Sequence, residues 1–376
     1  MMRTAKTKQK EKSKMTIKIP TMPFVIPERI TFQSLPTVDG IGAMTISETS
    51  EMVKSMIFRE DREDIVCNIS DLHFSFNNQI ATMKQKTGNC PMLLTKTAWN
   101  SLAGKILPRS GKNFVFETMK KDHDGQMLAG VNMNFWALGN ETPVKLRTKL
   151  ARVKGKHFRL VYGVLSPKYT AFDNVDYLNL LASIPEIKNQ KVLSLKITDD
   201  FFRMRISDEK VREVHVPVNM LEAWNSESGK CSARIQAGIF RYICTNGMGS
   251  FDKKSEKRFN HVGNQWRIKT GIRSSLHGMH NKASHLKAQY RAALSVRIQE
   301  FGEWFRSLSY INKDFSEKQI ETCLEKTKDP TSSPLGTLAG LIDGCTLGAQ
   351  SFDIFDQLRM EKTASRVMAQ GLKEFA

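Results

Sequence analysis

The chain has 376 residues, of which 40% are hydrophobic, and its 57 lysines and arginines against 38 acidic residues give a formal net charge of +19. This length exceeds that of a usual single domain, so we expect one large or two smaller hydrophobic cores. The sequence has no run of about eighteen apolar residues and no Cys-x-x-Cys pair among its six cysteines, which excludes a membrane-spanning helix and a disulfide scaffold. We therefore expect a cytoplasmic protein with reduced thiols and no membrane partner.

The first 143 residues divide into a basic arm and a mixed part. Residues 1–16 are rich in lysine and lack apolar periodicity, so we predict a disordered arm there, followed by an N-terminal α+β part over residues 17–143. Capping residues and apolar spacing predict three elements within that part, which are a helix over residues 48–62, a strand over residues 65–76 and a helix capped by Thr95.

Residues 144–325 are predicted to form a basic core. Period-two alternation of apolar side chains, as at Phe158, Leu160 and Tyr162, indicates the strands of a curved antiparallel sheet. The expected elements are strands over 144–153, 157–165, 191–197, 201–206 and 211–216, a short helix over 175–183 and one long basic helix over 281–308. The fold class predicted from this order is α+β, in which a curved antiparallel sheet is flanked by helices before and after it in the chain.

A small helical part is predicted at the end of the chain. The linker over residues 326–334 is rich in Pro, Ser and Thr, and it precedes a C-terminal part over residues 335–376. Within that part we expect two short helices, over residues 337–347 and 353–368, with a break near Gly348.

Positive charge is concentrated between Lys230 and Gln299, where fourteen lysines and arginines stand against only Asp252 and Glu256. Aromatic residues alternate with these cations: Phe240, Tyr242, Phe251, Phe259, Trp266 and Tyr290. Cations neutralise phosphates, and flat rings stack on unpaired bases. The pattern therefore predicts a surface that binds nucleic acid, with single-stranded DNA as the favoured partner.

Short motifs from residue 166 onward resemble a known family. They are Ser166-Pro167-Lys168-Tyr169, Phe172-Asp173-Asn174, Asn225-Ser226-Glu227-Ser228-Gly229, Phe240-Arg241-Tyr242-Ile243-Cys244-Thr245-Asn246-Gly247-Met248, Asn260-His261-Val262-Gly263-Asn264 and, near the end of the chain, Phe355-Asp356-Gln357-Leu358. In patches between residues 90 and 368, the chain resembles the phage/plasmid-like protein family, a domain of unknown function carried by bacteriophages and mobile elements. The resemblance implies a role in replication, recombination or host takeover inside a bacterial host cell, and it supplies no catalytic residues.

From the charge and the aromatic pattern we predict a protein that binds single strands during strand annealing or replication, without a chemical step and without a cofactor. Phosphate contacts, base stacking and hydrogen bonds are assigned to twelve residues: Arg241, Tyr242, Asn246, Lys253, Lys254, Arg258, Phe259, His261, Trp266, Arg267, Lys269 and Arg273. Assembly into a homo-oligomer is compatible with this prediction.

Two alternatives come from other functional classes. Asp173, Glu186 and Lys188 have the residue types of a nuclease that binds Mg²⁺ and orients water. The His277-x-x-His280 pair has metal-ligand spacing, but the cations around it disfavour a divalent ion. The second alternative is a factor that binds a host protein through its basic face and has no role with nucleic acid.

Overall fold

A computed structural model of the chain describes residues 30–33, 44–56, 62–77, 80–85, 91–118, 121–153, 156–197, 201–207, 216–241, 248–251 and 255–376. The predicted arm over residues 1–16 lies outside this set. The described residues form a mixed α+β fold with two β-sheets and twelve α-helices. Within them, no helix combines the length and the apolar character needed to cross a membrane.

Sheet A has six strands from the first half of the chain. In spatial order they are β2 (Arg62–Asn68), β6 (Pro143–Val153), β7 (Lys156–Leu165), β5 (Met92–Leu94), β4 (Ile80–Gln85) and β3 (Leu72–Asn77). Neighbours are antiparallel except for the parallel pair β5 and β7. The β6–β7 hairpin confirms the prediction for residues 144–165. Thr95, the predicted cap, accepts a hydrogen bond from the Ala98 amide at 3.2 Å, and the helix that follows buries Trp99 in the core of this sheet.

Sheet B has seven strands. They are β1 (Ile30–Gln33), β8 (Lys191–Ile197), β9 (Phe202–Ser207), β10 (Val218–Asn225), β11 (Ala233–Arg241), β12 (Met248–Phe251) and β13 (Lys257–Phe259). The first six neighbour one another in that order, and β13 also pairs with β11. The strands predicted from residue 144 onward therefore belong to two sheets, because the β6–β7 hairpin joins sheet A. Strand β10 was missed, and the strand predicted over 211–216 lies almost wholly outside the described residues.

Twelve helices lie around the sheets in the described part of the chain. They are α1 (Ile46–Met56), α2 (Lys96–Ile106), α3 (Arg109–Thr118), α4 (His123–Ala137), α5 (Asn174–Ala182), α6 (Gln265–Leu276), α7 (Met279–Ala293), α8 (Phe301–Ser307), α9 (Ser309–Asp314), α10 (Glu317–Lys326), α11 (Leu338–Ala349) and α12 (Ile354–Phe375). Helices α5, α11 and α12 confirm predictions, although α12 extends further than expected. The helix predicted over 48–62 ends at Met56, since residues from Arg62 onward pair with β6.

The long basic helix predicted over residues 281–308 is wrong. Helix α7 ends at Ala293, and α8 begins only at Phe301. The backbone between them bonds to a distant segment instead of continuing the helix: the Ile298 amide donates to the Gly336 carbonyl at 2.9 Å. Sequence spacing alone could not reveal this pairing, because the apolar stripe continues through the break.

The two faces of sheet B differ in chemistry, as period-two alternation requires. Along β9, Phe202, Met204 and Ile206 point into an apolar core that also contains side chains of α1, α5 and α6. Arg203 and Arg205 point to the opposite face, which is covered by α12. Sheet B is therefore held between an apolar layer and a second layer that is polar in part, in which buried charges lie beside the Phe240 and Phe251 rings.

That polar layer contains a buried quartet, which we define as Arg203, Arg205, Glu222 and Glu361. Glu222 accepts from the Nε atoms of Arg203 and Arg205 at 2.5 and 3.0 Å, and Glu361 accepts from Arg205 Nη2 at 2.8 Å and also from Arg203. No side chain of the four is more than 6% exposed. Buried charges are tolerated only when each has a well-placed partner, and here two cations meet two anions.

Candidate nucleic-acid interface

The segment that carries Trp266 is the helix α6. Asn264 is its N-cap, and the side-chain oxygen of Asn264 accepts a hydrogen bond from the Arg267 amide at 3.0 Å. Ile268 and Ile272 are buried in the core beside sheet B. An N-cap asparagine followed by isoleucines four residues apart was a signal for this helix in the sequence.

The opposite face of α6 is open to solvent. Trp266, Thr270, Arg273 and His277 are all exposed and are spaced at i, i+4, i+7 and i+11, so they form one stripe along the helix. At a rise of 1.5 Å per residue this stripe is about 16 Å long. The Trp266 side chain is 69% exposed, which is unusual for a large ring and leaves it available for stacking.

Helices α6 and α7 carry only positive formal charge. Neither helix contains an aspartate or a glutamate, and together they contain six cations: Arg267, Lys269, Arg273, Lys282, Lys287 and Arg291. The Arg273 guanidinium also donates to Ser183 Oγ at 3.1 Å, which helps to fix its position within the stripe. A surface with charge of one sign concentrates oppositely charged ligands near it. We call the exposed face of α6 and the cations of both helices the basic face.

The structure brings part of the predicted binding set together. Trp266, Arg267, Lys269 and Arg273 lie on α6, while Arg258 lies on the nearby strand β13. The Arg258 guanidinium is engaged by the Glu256 carboxylate at 3.1 Å, so its charge is partly neutralised. Four predicted contacts lie outside the described residues: Tyr242, Asn246, Lys253 and Lys254.

Arg241 is a correction to the prediction, because the structure buries it away from the basic face. Its guanidinium pairs with Asp343 of α11 and also donates to the Tyr290 hydroxyl. Ser333 Oγ accepts a further bond at 2.9 Å. Only 5% of Arg241 is exposed, so it stabilises the packing of sheet B against the C-terminal helices and presents no group to a surface phosphate.

His261 and Phe259 are also corrections. The His261 ring is 5% exposed and stacks on Tyr169 with 4.9 Å between ring centroids and 8° between ring planes. The Phe259 ring packs over Gly271 of α6, where a Cβ atom would lie only 2.6 Å from that ring. Both rings therefore hold α6 and the preceding loop in place; the His261 ring is buried and the Phe259 ring is partly buried against α6.

Four of the family motifs, those that contain Tyr169, Asp173, Glu227 and His261, meet at or beside a buried joint between the two sheets. Arg62 of β2 donates to Glu227, which follows β10, at 2.5 Å, and Arg147 of β6 donates to Asp173 at 2.7 Å and to Asp64 at 3.1 Å. Near the joint, the Tyr169 hydroxyl donates to the Ser226 carbonyl at 3.1 Å. These contacts attach sheet A to the strand β10 end of sheet B, so the joint has a structural role.

The electrostatics of the joint raise the pKa of Glu227. Burial, together with the nearby Asp173 carboxylate, raises the pKa of Glu227 to about 7, although Arg62 and Arg147 oppose this change. The second oxygen of Glu227 accepts from the Asn174 amide at 2.7 Å. Each oxygen of this carboxylate thus has a donor inside the protein.

The three residues of the alternative nuclease site differ in their surroundings. Asp173 is bonded to Arg147 and lies within 3.4 Å of Arg62, whereas Glu186 and Lys188 are exposed on the turn after α5. Among the described residues, no three His, Cys, Asp or Glu side chains are grouped so as to hold a metal ion. The His280 side chain lies outside the description, so the His277-x-x-His280 pair stays a prediction.

His261 predicts a dependence of stability on pH. Burial, aided by the Arg147 charge, lowers the pKa of His261 from 6.5 to about 4. Below pH 6.5 the unfolded chain binds a proton that the folded protein excludes, so stability is expected to fall between pH 6.5 and pH 4, by up to about 3 kcal/mol. Urea unfolding across this range should show a smaller loss for His261→Phe than for the wild type. Titration of the wild-type His261 near 6.5 by NMR would contradict the expectation.

With this geometry described, the chain can be compared with known proteins. Residues 161–324 match the family described as Domain of unknown function (DUF932). The resemblance inferred from the motifs is confirmed over this segment, which contains those between Ser166 and Asn264, whereas Phe355-Asp356-Gln357-Leu358 lies outside the match. No curated protein and no solved structure matches the chain. The DUF932 segment includes strands β8 to β13, the basic face and part of the joint, whereas α11 and α12 follow it.

Proposed function

We propose that the protein binds single-stranded DNA through the basic face. The observation that carries this proposal is the exposed Trp266 ring on a helix that has cations but no acidic residue. Cations along α6 and α7 would neutralise backbone phosphates, and the ring would stack on an unpaired base. A duplex offers no unpaired base for that stack, which favours a single strand. Such binding would serve strand annealing in recombination, or replication.

Fluorescence anisotropy with a labelled single-stranded oligonucleotide tests the proposal. Loss of one stacked base costs about 1–3 kcal/mol, so Trp266→Ala is expected to weaken binding by about 5-fold to 150-fold. The salt dependence of this variant should stay close to that of the wild type, because no charge is removed. Wild-type binding should weaken steeply with salt, and labelled duplex DNA should bind more weakly than the single strand.

A matched control is available on α4, a helix that is hydrogen-bonded to strand β3 of sheet A. Trp136 of α4 is 45% exposed and lies far from the basic face in sequence, so Trp136→Ala removes a similar ring. This control is expected to bind DNA like the wild type. Equal weakening by both tryptophan substitutions, or the absence of binding to either DNA form at low salt, would overturn the proposal. In the second case the basic face would be reinterpreted as a docking surface for RNA or for a protein.

A further inference from the structure

Helix α4 is apolar on both of its sides. Its inner side packs on sheet A, where the Asn134 side chain accepts from the Phe74 amide at 2.7 Å and donates to the Phe74 carbonyl at 2.9 Å. The buried residues of α4 are mostly small: Gly125, Gln126, Ala129, Gly130, Met133 and Ala137. A surface helix normally presents polar side chains opposite its buried side. Helix α4 instead presents its large apolar side chains to solvent.

We define the outer face of α4 by five residues: Met127, Leu128, Val131, Phe135 and Leu138. Met127, Val131 and Phe135 are spaced at i, i+4 and i+8, and Leu138, the C-cap, follows three residues later, so they form one line along the helix. Each of the five residues is between 47% and 71% exposed. A contiguous apolar surface of this kind on a folded protein marks an interaction site.

The area of the outer face is large enough for a protein–protein interface. A large apolar residue presents on the order of 150–200 Å² when it is fully exposed, so the five together expose on the order of 500 Å². Two such faces in contact would bury on the order of 1,000 Å², which is the lower bound for a specific interface. The polar residues around the outer face would add to this area.

The absence of charge on α4 favours a second copy of the chain as the partner. From Gly125 to Ala137 the helix contains no Asp, Glu, Lys or Arg, and the centres of protein interfaces are likewise poor in charge. Since each chain has a formal charge of +19, two copies repel each other where cations are dense and can meet at a neutral face. A helix that lies on a membrane would instead carry lysines and arginines, and α4 has none.

We propose that the outer face of α4 binds a second copy of this chain in a two-fold symmetric dimer. Both subunits of such a dimer use the same surface, so each residue meets a counterpart across the axis. Met127 and Phe135 lie at equal distances in sequence before and after Val131. An antiparallel pair of α4 helices centred on Val131 therefore places each Met127 against the partner's Phe135, and contacts between sulfur and aromatic rings are favourable.

Sedimentation velocity of the full chain without DNA tests this proposal. The wild type is expected to reach twice the mass of one chain, which is 42.7 kDa, at micromolar concentrations. Val131→Glu should weaken dimerisation by at least about 100-fold, because it places two carboxylates together at the axis. Val131 is exposed, so this variant should keep the circular dichroism spectrum of the wild type. A wild type that stays monomeric at the highest soluble concentration would overturn the proposal.

A mixture of two charged variants tests whether Val131 meets its own counterpart. Val131→Lys alone should be monomeric, because two ammonium groups would lie together at the axis. An equimolar mixture of Val131→Lys and Val131→Glu should recover the dimer, since each axis then joins an ammonium to a carboxylate. A mixture that stays monomeric would overturn the two-fold arrangement.

The control variants lie outside the outer face. Leu335→Glu adds the same charge at an exposed leucine before α11 and should stay dimeric, whereas a loss equal to that of Val131→Glu would overturn the site. Trp136 lies about 140° around the helix from Val131, so Trp136→Ala should also stay dimeric. The dimer does not depend on the proposed DNA binding, and Trp266→Ala should leave it intact.

Discussion

Replacing Glu361 with glutamine is expected to lower the free energy of unfolding by about 3–5 kcal/mol. The substitution keeps the shape of the side chain but removes one of the two carboxylates in the buried quartet. Arg203 and Arg205 would then share only Glu222, and an uncompensated positive charge would remain under α12. Most single substitutions cost far less, so a loss of this size would identify the quartet as a central element of stability.

Urea unfolding followed by circular dichroism measures this effect as a lower midpoint with an unchanged slope. Glu321→Gln is the matched control, because Glu321 is an exposed glutamate in the interior of helix α10. It is expected to change stability by less than about 0.5 kcal/mol. A loss below about 1 kcal/mol for Glu361→Gln would show that the quartet relaxes or admits water when one carboxylate is removed.

Arg241→Gln is expected to destabilise the protein by about 3 kcal/mol or more, and to do so without affecting DNA contacts directly. The substitution leaves the fully buried Asp343 carboxylate with only neutral donors, namely the Tyr290 hydroxyl at 2.7 Å and the Ser333 amide at 2.7 Å. Because burial disfavours an unpaired charge, the substitution raises the free energy of the folded state relative to that of the unfolded chain.

Arg267→Gln is the comparison variant, and it distinguishes a structural arginine from one that contacts DNA. Arg267 is exposed on α6, so its loss should leave the unfolding free energy within about 0.5 kcal/mol of the wild type. The same change should weaken single-strand binding and reduce the logarithmic salt slope by about 0.7. If Arg241→Gln were instead as stable as the wild type but bound DNA more weakly, Arg241 would be a DNA contact, as the sequence predicted.

Local signals in the sequence account for the elements that were predicted correctly. The β6–β7 hairpin, α5, α11 and α12 have caps, turns and apolar periods that lie within a few residues of each element. The division into two sheets could not be predicted in this way. It depends on which strands become neighbours, as when β5 pairs in parallel with β7 across more than sixty residues of chain.

In the candidate site, local sequence signals likewise predict the exposure of some residues but not of others. The exposure of Arg267 follows from its position opposite Ile268 and Ile272, which local spacing can reveal. The burial of Arg241 depends on Asp343, which is 102 residues away in the chain. Charge in a sequence indicates a surface only when no distant partner compensates it, and such partners are visible only in the folded structure.

Helices α11 and α12 lie outside the DUF932 match but supply partners to charges inside it. The DUF932 match begins within β7 and ends within α10, so the matched segment contains Arg203, Arg205 and Arg241 but neither Glu361 nor Asp343. It likewise contains Glu227 without Arg62 or Arg147. A gene fragment that encoded only residues 161–324 would produce these charged side chains without their ion-pair partners. The matched segment is therefore shorter than the part of the chain that must be kept together for these buried charges to remain paired.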